Sequence, residues 1–138
     1  MHIESERDSL QQLDALASME PRATVILSHC GVSADAATIR SLMDKHPNIH
    51  CDLSWRSPPV ARGPQGAARS VFDESGVKQE WLGLIEEKSD RFMVGTDAYC
   101  CDYSQAIGSF RKGLLPRLSP ATLRKVAYEN AERLMKLK

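Results

Sequence analysis

The chain has 138 residues, 42% of them hydrophobic, with 18 basic and 18 acidic side chains and a formal charge of zero. That length suits one domain, spanning 1–138, with a real core. The even charge, with no basic stripe and no block of like charge, argues against nucleic acid as a partner and against an interaction tail. The longest apolar stretches fall far short of a bilayer span, and the opening Met1-His2-Ile3-Glu4-Ser5-Glu6 does not read as a signal peptide, so no membrane partner is expected. Cys30, Cys51, Cys100 and Cys101 lack CxxC spacing, and reduced thiols in a cytoplasmic protein are the simplest account of them.

In chain order, His2-Ile3-Glu4 suits the end of a strand, although only Met1 precedes it. Asp8 to Met19 reads as an amphipathic helix with Leu10, Leu13, Leu16 and Ala17 on one face, stopped at Glu20-Pro21. Thr24 to Ser28 is a short apolar strand ending in His29-Cys30-Gly31. Ser33 is the expected N-cap of a helix from Ala34 to Lys45, with Ala36, Ile39, Leu42 and Met43 inward. His46-Pro47-Asn48 turns the chain into a third strand, Ile49 to Leu53, which leads into Ser54-Trp55-Arg56.

From Ser57 to Gly76 the pattern breaks into prolines, glycines and arginines (Arg62 and Arg69, after Arg56). A loop of this length inside a compact domain is more often functional than merely connecting. Its arginines suit a carboxylate or phosphate, or else a solvated surface. Lys78 to Lys88 reads as a helix with Trp81, Leu82 and Ile85 inward. A strand over Phe92 to Val94 ends in Gly95-Thr96-Asp97, a helix follows over roughly Tyr103 to Leu114, and Ser119-Pro120 starts the closing helices. The alternation βαβαβαβα predicts a parallel sheet with outer helices. No nucleotide-binding glycine motif occurs.

Two strands that end in His29 and Asp97 place an imidazole and a carboxylate where α/β folds keep their chemistry, which points to a metal or acid–base site. The plain alternative is that Asp97 caps a turn. His46, beside Pro47, reads as a surface residue, and His50, inside a strand, as a packed or half-exposed one. Asp52 reads as a turn residue. Cys30 follows His29 directly, so its side chain points away from any site that His29 serves.

The runs Ile26-Leu27-Ser28-His29-Cys30-Gly31, Cys51-Asp52-Leu53-Ser54, Val94-Gly95-Thr96-Asp97 and Tyr128-Glu129-Asn130-Ala131-Glu132-Arg133-Leu134 resemble the C-terminal half of the amidohydrolase-related enzymes. These are metal-dependent (β/α)8 barrels that include hydrolases and nonoxidative decarboxylases. The resemblance implies a partial, half TIM-type barrel carrying about its last four strands. It implies that His2 is the metal-ligand histidine after the fifth strand and His29 the histidine after the sixth, which binds metal or activates water. Asp97 becomes the carboxylate after the eighth strand, a metal ligand that also moves protons. Asn130-Ala131 matches a structural motif of the closing helix. Trp55, Arg56 and Tyr99 are the expected substrate contacts, and the substrate is a small molecule, with one bearing a carboxylate as the match to the arginines. Nitrogen and carboxylate ligands favour zinc, with manganese as the other divalent choice.

The chain departs from that pattern in lacking a counterpart of the family's His-x-His pair, and a full barrel needs about 250 residues. A truncated product of a longer gene is the simplest expectation. Three readings follow. The first is a half barrel derived from a metal-dependent hydrolase, whose site is completed by a missing N-terminal half or another copy. The second is a non-catalytic binding module that oligomerises through open sheet edges. The third is a small α/β domain in which His29 and Asp97 are structural.

Overall fold

The computed structural model describes residues 6–56, 70–97 and 103–136, with side chains from residue 9 onward in the first segment. His2, Tyr99, Arg62, Arg69, Cys100 and Cys101 lie outside the described residues.

The short apolar runs form the centre. Strand β1 (Val25–Leu27) pairs in parallel with β2 (Ile49–Asp52), Val25 opposite Ile49, Ile26 opposite His50 and Leu27 opposite Cys51. A later strand, β5 (Phe92–Met93), pairs in parallel with the other edge of β2, giving the order β1-β2-β5. Because side chains alternate across a sheet, Val25, Leu27, Ile49, Cys51 and Phe92 share one face and enter the apolar core. Ile26, His50, Asp52 and Met93 take the other.

Two helices cover the first face. Helix α2 (Ala36–Lys45) buries Ala36, Ile39, Leu42 and Met43, the residues its 3.6-residue period sets on one side. Helix α3 (Gln79–Glu87) buries Trp81, Leu84 and Ile85 and packs on α2. Helix α1 (Glu6–Met19) lies outside α2, with Leu10, Leu13 and Ala17 against the core, while Leu16 faces solvent, against the sequence expectation. Asp14 of α1 accepts hydrogen bonds from Lys45 Nζ and His46 Nε2. That pairing draws His46 inward to 5% exposure, so the expectation of a surface histidine does not hold. The N-cap of α2 is Asp35, whose carboxylate accepts the Thr38 N–H at 2.7 Å, and not Ser33. A charged acceptor two residues nearer the first turn is the stronger cap.

The region after Ser70 holds a small antiparallel hairpin that sequence periodicity did not reveal, β3 (Phe72–Asp73) and β4 (Gly76–Val77). Its turn is closed by Asp73, whose carboxylate accepts from the N–H and hydroxyl of Ser75. Gly76 sits at φ +113°, where a Cβ would come within 3.0 Å of the Gly113 carbonyl, so only glycine fits. Helix α4 (Tyr103–Ser109) continues through a π turn over Phe110–Leu114. Ser119 caps α5 (Pro120–Arg124) as its sequence predicts, accepting from the Thr122 N–H. A second π turn, Lys125–Glu129, leads to α6 (Asn130–Met135).

This closing segment lies along the free edge of β5. The Val94 N–H donates to the Val126 carbonyl at 3.1 Å. Asn130, 2% exposed, donates from Nδ2 to the carbonyls of Ser89 and Phe92, each at 2.7 Å. A strand edge that would otherwise offer bare backbone groups is thus satisfied by a helix.

Candidate functional site

All three strands of the parallel sheet run the same way, so their carboxyl ends meet. Each end delivers polar or aromatic side chains: His29 after β1, Ser54 and Trp55 after β2, Asp97 after β5. The backbone there is unusual. His29 (φ 57°), Trp55 (φ 60°) and Asp97 (φ 42°) are all left-handed, and the run His29, Cys30, Gly31, Val32 has four consecutive positive φ values. Left-handed non-glycine residues cost about 1 kcal/mol or more each. Such conformations persist only where surrounding contacts impose them, and they concentrate at functional sites.

The imposing contacts are visible. Arg56 is 1% exposed, and its guanidinium donates to the carbonyls of Cys30 (3.0 Å) and Ala34 (2.8 Å), with a longer bond to that of His29 (3.4 Å). The same guanidinium lies 4.9 Å above the Trp81 ring of α3. A planar fork of donors suits several carbonyls of one turn. Arg56, expected from sequence to meet substrate, is therefore committed to the turn that presents His29. Trp81, expected as core, is also the floor under that arginine.

At the site itself, His29 Nδ1 and the Ser54 hydroxyl stand 2.7 Å apart in a hydrogen bond. The other ring nitrogen, Nε2, faces Asp97 Oδ2 at 3.7 Å. Trp55 stacks on the imidazole, with centroids 5.4 Å apart and planes inclined by 28°. Its indole N–H donates to the Asp97 carbonyl at 3.1 Å, which ties the ends of β2 and β5 together. Trp55 is 41% exposed and Asp97's side chain 60%, so this arrangement opens to solvent. Of the sequence-derived site residues, the structure brings His29, Asp97 and Trp55 together and withdraws Arg56; His2 and Tyr99 lie outside the described residues.

Beneath the site, Asp52 Oδ1 accepts the Ser54 N–H at 2.8 Å, an Asx turn that fixes where the Ser54 side chain starts. Gly95 passes so close that a Cβ there would lie 3.3 Å from both Asp52 Oδ1 and Ser54 Cβ. Cys30 and Cys51 are free and buried. Burial pushes the Cys51 thiol well up, and its hydrogen bond with Cys30 adds to this, so Cys51 does not serve as a thiolate ligand. Ser54 is the residue sequence reasoning missed. Its signal was a hydroxyl just beyond the end of the middle strand, between the two strands that carry His29 and Asp97.

The donor set is one imidazole nitrogen and one carboxylate oxygen, the types a zinc-like ion takes. Among the described residues no third His, Cys, Asp or Glu joins them. They account for two coordination positions. Two surface grooves lie elsewhere, one of about 830 Å³ between α1 and α2 and one of about 840 Å³ beside the β3–β4 hairpin. Neither is lined by His29, Ser54, Trp55 or Asp97.

Comparison with known proteins agrees with this layout. A family model described as amidohydrolase matches residues 1–137. Crystal structures of an amidohydrolase from Burkholderia multivorans superpose on the chain. The form with bound HEPES gives a TM-score of 0.61 and the form with bound zinc 0.60. Each is 20% identical and aligns over 93% of this chain, and the chain spans 49% of that protein. Among curated proteins none matches. The shared fold is an α/β arrangement of parallel strands and outer helices taken from a TIM-type barrel.

Proposed function

The chain belongs to the amidohydrolase family, and from that premise we propose that it carries the C-terminal half of a metal-dependent hydrolase site acting on a small molecule. The observation that supports this most is the convergence of His29 Nε2 and Asp97 Oδ2, 3.7 Å apart, at the carboxyl ends of two strands. His29 and Asp97 would hold the ion, and His2 is the third candidate. The similar Burkholderia protein was crystallised with zinc, so zinc is the first choice and manganese the second. When bound, such an ion supplies a hydroxide by lowering the pKa of its water towards neutrality.

The chain's own residues do the rest. Asp97, half open to solvent, accepts a proton at a carboxylate oxygen and passes it on. His29 presents Nε2 to the ion, with Trp55 stacked on its ring. The exposed Trp55 face is an apolar wall for the substrate. A substrate bearing a carboxylate suits the arginines of the loop before Ser70, and either hydrolysis or decarboxylation uses this set of groups. A complete site needs the residues of the other half barrel, from the rest of a longer chain or from a second copy. We place the protein in the cytoplasm, where buried thiols such as Cys30 and Cys51 stay reduced. No helix among the described residues is long and apolar enough to cross a membrane.

Metal analysis by mass spectrometry tests the reading, comparing the parent with a His29→Ala, Asp97→Ala double variant. Near-stoichiometric zinc in the parent, lost in the variant, is the expected result. No metal in the parent after supplementation with zinc and manganese overturns it. Light scattering checks the assembly: a monomer with full metal content removes the second copy from the proposal.

A further inference from the structure

The hydroxyl between the two ligand-bearing strands has no role in the reading above, which stops at His29 and Asp97. We propose that Ser54 is the positioning residue of this site, holding the His29 ring so that Nε2 is presented to Asp97 and to whatever binds between them. This inference rests on that reading for what the ring is presented to, and on geometry alone for the positioning.

Three observations carry it. The first is the 2.7 Å bond between Ser54 Oγ and His29 Nδ1, which spans 25 residues of sequence and joins β1 to β2. The second is how firmly Ser54 itself is set. It is buried, its N–H is taken by Asp52, and Gly95 of the next strand leaves no room beside its Cβ. The third is the left-handed turn at His29, clamped by Arg56, which fixes the Cα but leaves the ring two torsions to choose. Stacking on Trp55 limits the ring plane but not which nitrogen faces Asp97. Among the described residues the short Ser54 bond distinguishes the two ring orientations.

The choice of a hydroxyl has its own consequence. Metal-binding histidines usually lean on a carboxylate or carbonyl, which only accepts and so demands a proton on Nδ1. A serine hydroxyl both donates and accepts. The Ser54–His29 bond therefore forms with either ring tautomer, so the hydroxyl aims the ring without dictating the tautomer.

The test uses the full chain labelled with 15N at histidine, metal-free, with ring nitrogens read by long-range proton–nitrogen correlation and ring contacts by proton–proton transfer. The parent should give one narrow set of His29 ring signals and a contact to the Trp55 indole. Ser54→Ala should broaden or split that set and weaken the contact in a chain that still folds. If the alanine variant does not fold, Ser54→Cys carries the comparison, since a thiol is a poor partner for Nδ1. Zinc titration follows on the same samples, with loss of Ser54 expected to weaken binding about 10- to 100-fold. An unaltered His29 ring in the variant overturns the positioning, whatever zinc does. A released ring in a protein whose parent binds no zinc leaves the positioning standing and overturns the metal reading.

Discussion

Replacing Arg56 with Met asks how much the His29 turn depends on one buried guanidinium. Methionine keeps most of the volume and the apolar contact with Trp81 but donates nothing. Three carbonyls of the turn, those of His29, Cys30 and Ala34, then lose a donor. The His29 carbonyl keeps the Val32 N–H at 3.0 Å, so two acceptors are left dry at about 1 kcal/mol each, and the stacking of the cation on Trp81 adds about 1 kcal/mol. Against this stands the relaxation of a strained turn, in which His29, Cys30 and Val32 are left-handed without being glycine. If one of them returns to an ordinary conformation, about 1 kcal/mol comes back. The net loss is about 2 kcal/mol, a sizeable part of a stability that for such domains is about 5–15 kcal/mol. Both tryptophans of the chain, Trp55 and Trp81, touch the affected region, so fluorescence-detected urea unfolding reads the change directly. The midpoint should fall by about 1 M at unchanged slope. Arg56→Lys should fall between parent and methionine variant, because an ammonium cannot reach several carbonyls in one plane. A methionine variant within about 0.5 kcal/mol of the parent would refute the reasoning and return Arg56 to the list of replaceable core residues.

Asn130→Ala should cost about 2 kcal/mol in the same assay, since the carbonyls of Ser89 and Phe92 share its amide. Asn130→Asp should cost more, because a carboxylate places acceptors against acceptors. Gly95→Ala should destabilise by about 1 kcal/mol as its Cβ presses on Asp52 and Ser54. Gly83→Ala, in the exposed middle of α3 with nothing within 4 Å of the new Cβ, should stabilise by about 0.5 kcal/mol; equal effects at the two positions would contradict the packing described at Gly95. Stability should also fall with acid in two stages, followed by the urea midpoint at each pH. Burial, helped by the Arg91 and Arg133 charges, lowers His50 below its ordinary 6.5. The unfolded chain therefore binds that proton first, and stability present above pH 6.5 is lost as pH drops below it. His50→Gln should flatten that first stage. Glu86 is lowered below its ordinary 4.5, burial opposing the shift but outweighed by hydrogen bonds from Ser119 and Thr122. Its contribution is present above 4.5 and lost as pH falls further, so Glu86→Gln should shrink the second stage, which Asp14, Asp35 and Asp73 share because hydrogen bonds hold them too below their ordinary 3.8, and leave the first stage unchanged.

Much of this protein was written in local sequence. The apolar runs ending in His29 and Asp97, the amphipathic periods of α2 and α3, and Ser119-Pro120 at the head of α5 depend on neighbours one to four residues away, so they are legible from one chain. The family words around His29, Asp97 and Asn130 were legible for the same reason. Tertiary structure decided what depends on distant partners. His46 is buried because Asp14, 32 residues away, accepts its hydrogen bond. Arg56 is turned from substrate to scaffold because the carbonyls it satisfies lie 22 to 27 residues earlier, in a turn whose left-handed backbone no residue type but Gly31 announces. Ser54 gains its meaning only when β1 and β2 lie side by side and bring His29 within 2.7 Å. Sequence sets which side chains stand at the strand ends. The order of the strands, which places β2 between β1 and β5, sets which of them meet.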